Sequence, residues 1–466
     1  MVTIMKKLTW LLLTMSVVGL LFGCQRSTVD DPNTIWIVTE PTSTDKMQGQ
    51  IEKVITNFQK EHPKITIDLE VLPKDGEERE VRLEKLRALI MSGKGPDGFL
   101  LPTNSNGRIP LFMDVNQAIH TGIFADISQY YDEDTTIGKD GLNATVMSAG
   151  VVDDARFFLP LRYDYPVIYA DSRLLENSGL DVSAMSKDVN SYLNEIIQSG
   201  SDTWLQNAGL KKSALLGDFV FFSQVADYKE AEVTLDRDQL KTYLEKQQQL
   251  TQLGGENYPS WVGNVLTYLN LSIFFDESHP FEVATFAQTY EYAAISKATG
   301  QRIEMIPLRT TSGEIIANVT YFAAVGANTS NPEMVYAFLR EFLTEESQWE
   351  QKRNTSYKYA IGLVGDGWPV RDKGAVAPLW NVCCKIHREP RKIIPLLEVE
   401  LTDADIPLLN IPIDGVRISN SYVEYEILGS KLAKLNDPVS GVAESVDIDA
   451  IADEIISALE YHLSEG

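Results

Sequence analysis

Thr34-Ile35-Trp36-Ile37-Val38-Thr39 is a continuous apolar run, the pattern of a strand buried on both faces. Working outward from it, Met47, Ile51, Val54, Ile55 and Phe58 recur at helical spacing, with Asp45 placed to cap and Pro63 to stop the helix. Residues Ile65 to Val71 then alternate with period two, which predicts a second strand. A second amphipathic helix carries Val81, Leu86, Leu89 and Ile90 and ends near Gly93, and Gly95-Pro96-Asp97 leads into a third strand at Gly98-Phe99-Leu100-Leu101. Strand, helix, strand, helix, strand predicts an α/β fold with a parallel sheet covered by helices. In open sheets of this kind ligands bind beyond the carboxyl ends of the strands, which singles out Glu40 after the first strand and Asn104 after the third.

The segment before this core has a different chemistry. Lys6 and Lys7 precede an apolar stretch from Leu8 to Phe22, too short and too weakly flanked for a membrane span and laid out as an export signal. Leu21-Phe22-Gly23-Cys24 resembles the lipobox of bacterial lipoproteins. The resemblance implies a signal peptide over 1–23, lipidation of Cys24, and a tether over 24–33, placing the protein on the outer face of the cytoplasmic membrane. Its contact with the membrane is then expected through the lipid anchor alone.

A chain of 466 residues exceeds what one core usually holds, so two lobes are expected. Apart from Cys24 the cysteines are Cys383 and Cys384, which as neighbours cannot staple distant segments; a vicinal disulfide and two thiols both remain open. Without the two lysines of residues 1–23 the chain has 39 basic and 66 acidic residues, a formal charge of −27. That argues against nucleic acid and polyanionic partners and favours a neutral or cationic solute. The five histidines show no metal-ligand spacing, and neither a nucleophile elbow nor a phosphate loop is present. No catalytic residue, metal or cofactor is therefore expected.

Four ordered stretches resemble the extracellular solute-binding proteins of ABC importers, the family that includes maltose-binding proteins. They are Ile51 to Pro73, Ser92 to Asp97, Phe158 to Tyr169, and the helix start Ser330-Asn331-Pro332-Glu333 running on to Gln348. Ala170-Asp171-Ser172-Arg173 departs from the family's usual ending of the third stretch. The resemblance implies a two-lobed periplasmic-binding-protein-like fold of type II, each lobe a mostly parallel sheet flanked by helices, with the ligand in the cleft between them. By position, lobe one is 34–165 with 322–360 and lobe two is 166–321 with 361–466. Chain crossings are expected near Arg162 to Ile168, Ile315 to Phe322 and Leu363 to Arg371. Ile448, Ile451, Ala452, Ile455, Leu459 and Leu463 form a helical stripe that must pack on a lobe.

A sugar presents hydroxyl edges and weakly apolar faces, so its site combines aromatic rings with Asp, Glu, Asn or Arg. Tyr163-Asp164-Tyr165 offers both kinds, the tyrosines sharing one face of a strand and Asp164 the other. Trp261 sits in a Gly- and Pro-punctuated loop, Tyr321 at the second crossing, and Trp368 with Arg371 at the third. The expected partners are a small polar solute, a mono- or oligosaccharide, and ABC permease subunits, with the protein acting as a monomer. A secreted carbohydrate-active hydrolase, which needs only two carboxylates at a set separation, and a sensory or scaffold lipoprotein of the same fold are the rival readings.

Overall fold

The computed structural model describes residues 33–41, 45–103, 108–199, 222, 225–254, 281–286, 289, 292–293, 296–297, 300–349, 367–371, 401–418, 427–431 and 447–464. The expected signal peptide, Cys24, most of the expected tether, Asn104, Trp261 and the Cys383-Cys384 pair lie outside them.

The opening unit forms as the sequence pattern dictates. Strand β1 (Thr34–Thr39) buries Ile35, Ile37 and Val38 completely or nearly so. It is flanked in parallel by β2 (Thr66–Val71) and β3 (Gly98–Pro102). Helix α1 (Asp45–Glu61) packs through Ile51, Val54 and Phe58. Helix α2 (Gly76–Met91) is rotated relative to the expected stripe: it buries Arg79, Leu83 and Leu86, while Val81 stands 41% exposed. In this phase Leu83 and Leu86 enter the core and Arg79, on the same face, reaches a carboxylate inside the body.

Strand β4 (Phe158–Asp164) continues the larger sheet, and β5 (Pro166–Asp171) opens a second one. The switch takes a single residue, Tyr165. Its N–H donates to Asp164 Oδ1 at 2.9 Å and its carbonyl accepts from the Phe286 N–H at 2.8 Å, so the backbone stays satisfied between the two ladders. Pro166 has no N–H to donate and biases the preceding residue toward extended geometry, which suits this position.

The second sheet is completed by β6 (Phe281–Thr285) and β7 (Ile303–Pro307), which pair antiparallel on either side of β5. Its strands are covered on both faces. Tyr169, Ile303 and Met305 face the first core; Ile168, Ala170 and Ile306 face a separate core built by α4 (Val189–Ser199), α5 (Arg237–Gly254) and the terminal helix.

After Gly313, whose φ of 87° serves a tight turn, the chain returns to the first sheet as β8 (Ile316–Val325). Strand β8 lies antiparallel to β3 and β4 and parallel to β10 (Gly415–Ile418), and β9 (Trp368–Pro369) pairs with the far edge of β4. Among the described residues the larger sheet thus runs β9-β4-β8-β3-β1-β2, with β10 on β8. Helix α6 (Pro332–Leu339) covers it, and α7 (Ile448–Ser464) buries the expected stripe in the second core.

Two features differ from the sequence expectation. The first sheet is mixed rather than mostly parallel, because the long crossing strands β4 and β8 enter it against the direction of β3 or of each other, and the described strands of the second sheet pair antiparallel. Residues 316–321, 367–371 and 415–418, grouped from sequence with the second lobe, contribute β8, β9 and β10 to the first sheet. The second crossing accordingly falls at 308–315, ahead of Tyr321, where Asp414 Oδ2 accepts from the Ile315 N–H at 2.8 Å.

Candidate functional site

The carboxyl ends of β1 and β3 meet the middle of β8. Thr39 Oγ1 donates to the Leu100 carbonyl at 2.8 Å, Tyr321 Oη donates to the same carbonyl at 3.2 Å, and Thr103 Oγ1 donates to the Val319 carbonyl at 2.6 Å. Tyr321 is buried, which pushes its hydroxyl well above the usual phenol range; the bond with Thr39 and the nearby Glu40 charge are smaller influences of opposite sign. Tyr321 is thus fixed inside the first body.

Glu40 is fixed as well. Arg79 donates to both of its oxygens, Nη1 to Oε2 at 2.9 Å and Nη2 to Oε1 at 2.7 Å, and neither side chain is appreciably exposed. The fork geometry makes this a strong contact. The same guanidinium donates to the carbonyls of Pro73 and Ile109, while Arg87 donates to those of Pro110 and Leu111. Two arginines of α2 therefore fasten the loop that follows β3. Burial pushes the Arg87 guanidinium down, the Arg79 charge adding to that effect.

The aromatic residues gather at the chain crossing. Phe286, just after β6, stacks on Tyr165 with ring centroids 4.5 Å apart and on Tyr163 at 5.9 Å, and tilts against Trp368 at 4.9 Å. Both tyrosines share one face, as strand alternation requires, and all four rings are buried. Trp368 is brought there by Gly367, which has φ 119° and lies so close to β8 that an added Cβ would sit 2.4 Å from Thr320 Oγ1. Beside the rings, Asp164 is half-buried and pairs in the ladder with Asn318, whose side-chain oxygen accepts from Arg417 Nε on β10.

Arg371 turns away from this group. Its guanidinium donates to the carbonyls of Ile137, Gly138 and Leu343, clamping the turn before α-helical residues 144–148 against residue 343. Burial pushes its pKa down, with Glu345 opposing.

Of the residues expected from sequence, Tyr163, Asp164 and Trp368 come together at the crossing. Glu40 and Tyr321 lie deeper, at the strand ends, and Arg371 lies behind. Sequence reasoning missed Phe286, Asn318 and Arg417. Phe286 ends the apolar segment Phe281 to Phe286, which was a legible strand signal; nothing local marked the other two. A hollow of about 570 Å³ bordered by Glu70, Val71, Val81 and Lys85 opens on the outer flank of β2 and α2, away from the crossing. Among the described residues no cluster of three His, Cys, Asp or Glu could hold a metal, and no helix is long and apolar enough to cross a membrane.

Residues 41–349 match the model of the family described as bacterial extracellular solute-binding protein. The chain belongs to that family. Members are periplasmic or extracellular, and the fold of this solute-binding protein agrees with their two-lobed architecture. It is similar to the sugar-binding protein MalE from Xanthomonas citri, with TM-score 0.54, 13% identity, and 93% of this chain and 98% of that one covered. It is also similar to the galacto-N-biose-/lacto-N-biose I-binding protein of the ABC transporter from Bifidobacterium longum, with TM-score 0.54, 14% identity, and 92% and 98% covered. A periplasmic solute-binding protein from Pectobacterium atrosepticum gives TM-score 0.53 at 14% identity, with 93% and 99% covered. At these identities the likeness concerns the fold. A comparison with curated proteins gives no match.

Proposed function

We propose that this solute-binding protein captures a carbohydrate at the crossing of its two bodies and delivers it to the permease of an ABC importer, anchored outside the cell by a lipid on Cys24. The observation that carries the reading is the side-chain chemistry at the crossing. A half-buried carboxylate, an amide and a guanidinium stand beside four aromatic rings from three segments; the rings are buried against one another where the bodies meet, and parting of the bodies would turn this combination toward a ligand with CH faces and paired hydroxyls. Two proteins of similar fold are a sugar-binding protein and one solved with lacto-N-biose.

Delivery follows from lobe closure. A ligand that touches both bodies stabilises the closed arrangement by its differential affinity for closed over open, and the permease reads the closed shape. The hydrolase alternative needs two carboxylates flanking a bound glycosidic link; at the crossing the described residues present Asp164 as the acid in the strand pair.

A thermal-shift screen of the purified protein against mono-, di- and oligosaccharides, with polyamines, osmolytes and short peptides as competing classes, tests the ligand class. A stabilising sugar is expected, and Asp164→Asn, which keeps an oxygen for the Tyr165 N–H, should weaken its binding about tenfold or more. Stabilisation by a polyamine or peptide and by no sugar would overturn the carbohydrate assignment. Release of reducing ends from oligosaccharides would favour the hydrolase. Retention of Cys24→Ala in the membrane fraction would remove the lipid anchor.

A further inference from the structure

Among the described residues, the two bodies also meet, away from the chain crossings, around one buried carboxylate. Asp114 lies just before α3 (Val115–His120) in the first body, and its side chain is fully enclosed. Oδ1 caps α3, accepting from the N–H groups of Asn116 at 2.9 Å and Gln117 at 3.4 Å. Oδ2 points the other way and receives two groups of the second body: Tyr228 Oη donates at 2.6 Å, and His462 Nε2 stands at 2.9 Å.

The origin of these partners is what makes the contact informative. Tyr228 is held in the 226–233 hairpin, whose flanking Val225, Val233 and Leu235 pack in the second core. His462 sits on the last turn of α7, whose stripe fills the same core. Val115, Ala118 and Ile119 of α3 belong to the first. Two neighbouring contacts follow the same line: the rings of His120 and Tyr228 stack at 6.2 Å, and Lys229 pairs with Asp153 at 2.8 Å on the exposed rim. The loop bearing Asp114 is itself anchored by Arg79 and Arg87, so the carboxylate is presented from a fixed base.

We propose that Asp114 is a latch that holds the two bodies together without ligand, and that its bonds to Tyr228 and His462 set how often the protein opens. A buried carboxylate that loses two donors on separation must regain them from water, so separation of the bodies carries a barrier located here. The proposal rests on the two-body fold and not on the identity of the solute.

Tyr228→Phe combined with His462→Gln removes or weakens both donors while leaving the α3 cap and the Tyr228 ring in place. The test is small-angle scattering and hydrogen exchange on the full mature chain without added solute. The double variant should have a larger radius of gyration than the native protein, and amides of 226–233 and of the last turn of α7 should exchange about tenfold faster or more. Amides at Asn116 and Gln117 should keep their native protection, which distinguishes release of the latch from unfolding of α3. Asp114→Asn, which keeps the cap, should expand the protein in the same direction. Scattering and exchange indistinguishable from the native protein in the double variant would overturn the proposal, as would expansion accompanied by loss of protection throughout α3.

Discussion

The two bodies touch in two unlike ways. At the crossing, Tyr163, Tyr165, Phe286 and Trp368 press together through ring faces, and the backbone passes from β4 to β5 through a single residue. At Asp114 the contact is a few directed hydrogen bonds to one carboxylate. The apolar burial of the rings is non-directional and survives small rotations, because area lost on one side is partly regained on another. A hydrogen bond to a buried carboxylate weakens steeply when its angle or distance fails. One contact is suited to act as a pivot and the other as a catch.

The comparison can be broken most severely at the pivot. Phe286→Ala removes the ring that all three others touch and should cost about 3–5 kcal/mol, read by denaturant unfolding; a loss below about 1 kcal/mol would mean that the stack does not centre on it. Next comes the anchoring of the Asp114 loop. Glu40→Gln leaves the Arg79 guanidinium buried against a neutral group and should cost about 3 kcal/mol, with E40L/R79M recovering part of it, since a buried pair replaced as a whole is often neutral while the Pro73 and Ile109 carbonyls lose their donor. A double variant no better than the single one would refute this account.

Gly367→Ala addresses the seat of Trp368. The new methyl meets Thr320 Oγ1 and the Tyr163 carbonyl at a backbone angle that L residues avoid, so a loss of about 1–3 kcal/mol is expected in the same assay. Native stability in this variant would mean that β9 shifts without cost.

Asp134 supplies a control carboxylate inside the first body. Burial pushes its carboxyl up, but bonds from the Thr136 side chain and backbone and from Arg340 outweigh burial and hold it at about 2. Its folded value lies below the ordinary one, so its contribution is present above about pH 4 and is lost as pH falls toward 2. Asp134→Asn should flatten that part of the acid stability profile. An unchanged acid limb would show that the pair is not the source.

The smallest stability effect is expected at the catch itself. His462→Gln should change unfolding free energy by less than about 1 kcal/mol while still altering the dimensions of the ligand-free protein. A larger loss would place His462 among the groups that hold α7 together.

These contrasts follow the limits of reading a sequence. The β1 to β3 unit was legible because its strands and helices are consecutive and their apolar periods are local. The terminal helix was legible for the same reason, whereas the crossing near Arg162 to Ile168 came from the family resemblance and not from a local period. Strand β8 was divided between the lobes because IANVTYFAAV, apolar but for Asn318 and Thr320, carries no mark of which sheet it joins. Glu40 looked like a loop carboxylate facing solute; its partner is on a helix whose phase only the folded body determines. The Asp114 to His462 contact spans 348 positions, and no periodicity reaches that far.

The seat of Trp368 has a practical consequence. An indole wedged against Phe286 where two bodies join would shift its emission in any swing large enough to part the two rings. The molecule therefore carries its own optical gauge, readable without dye or label once the remaining tryptophans are replaced.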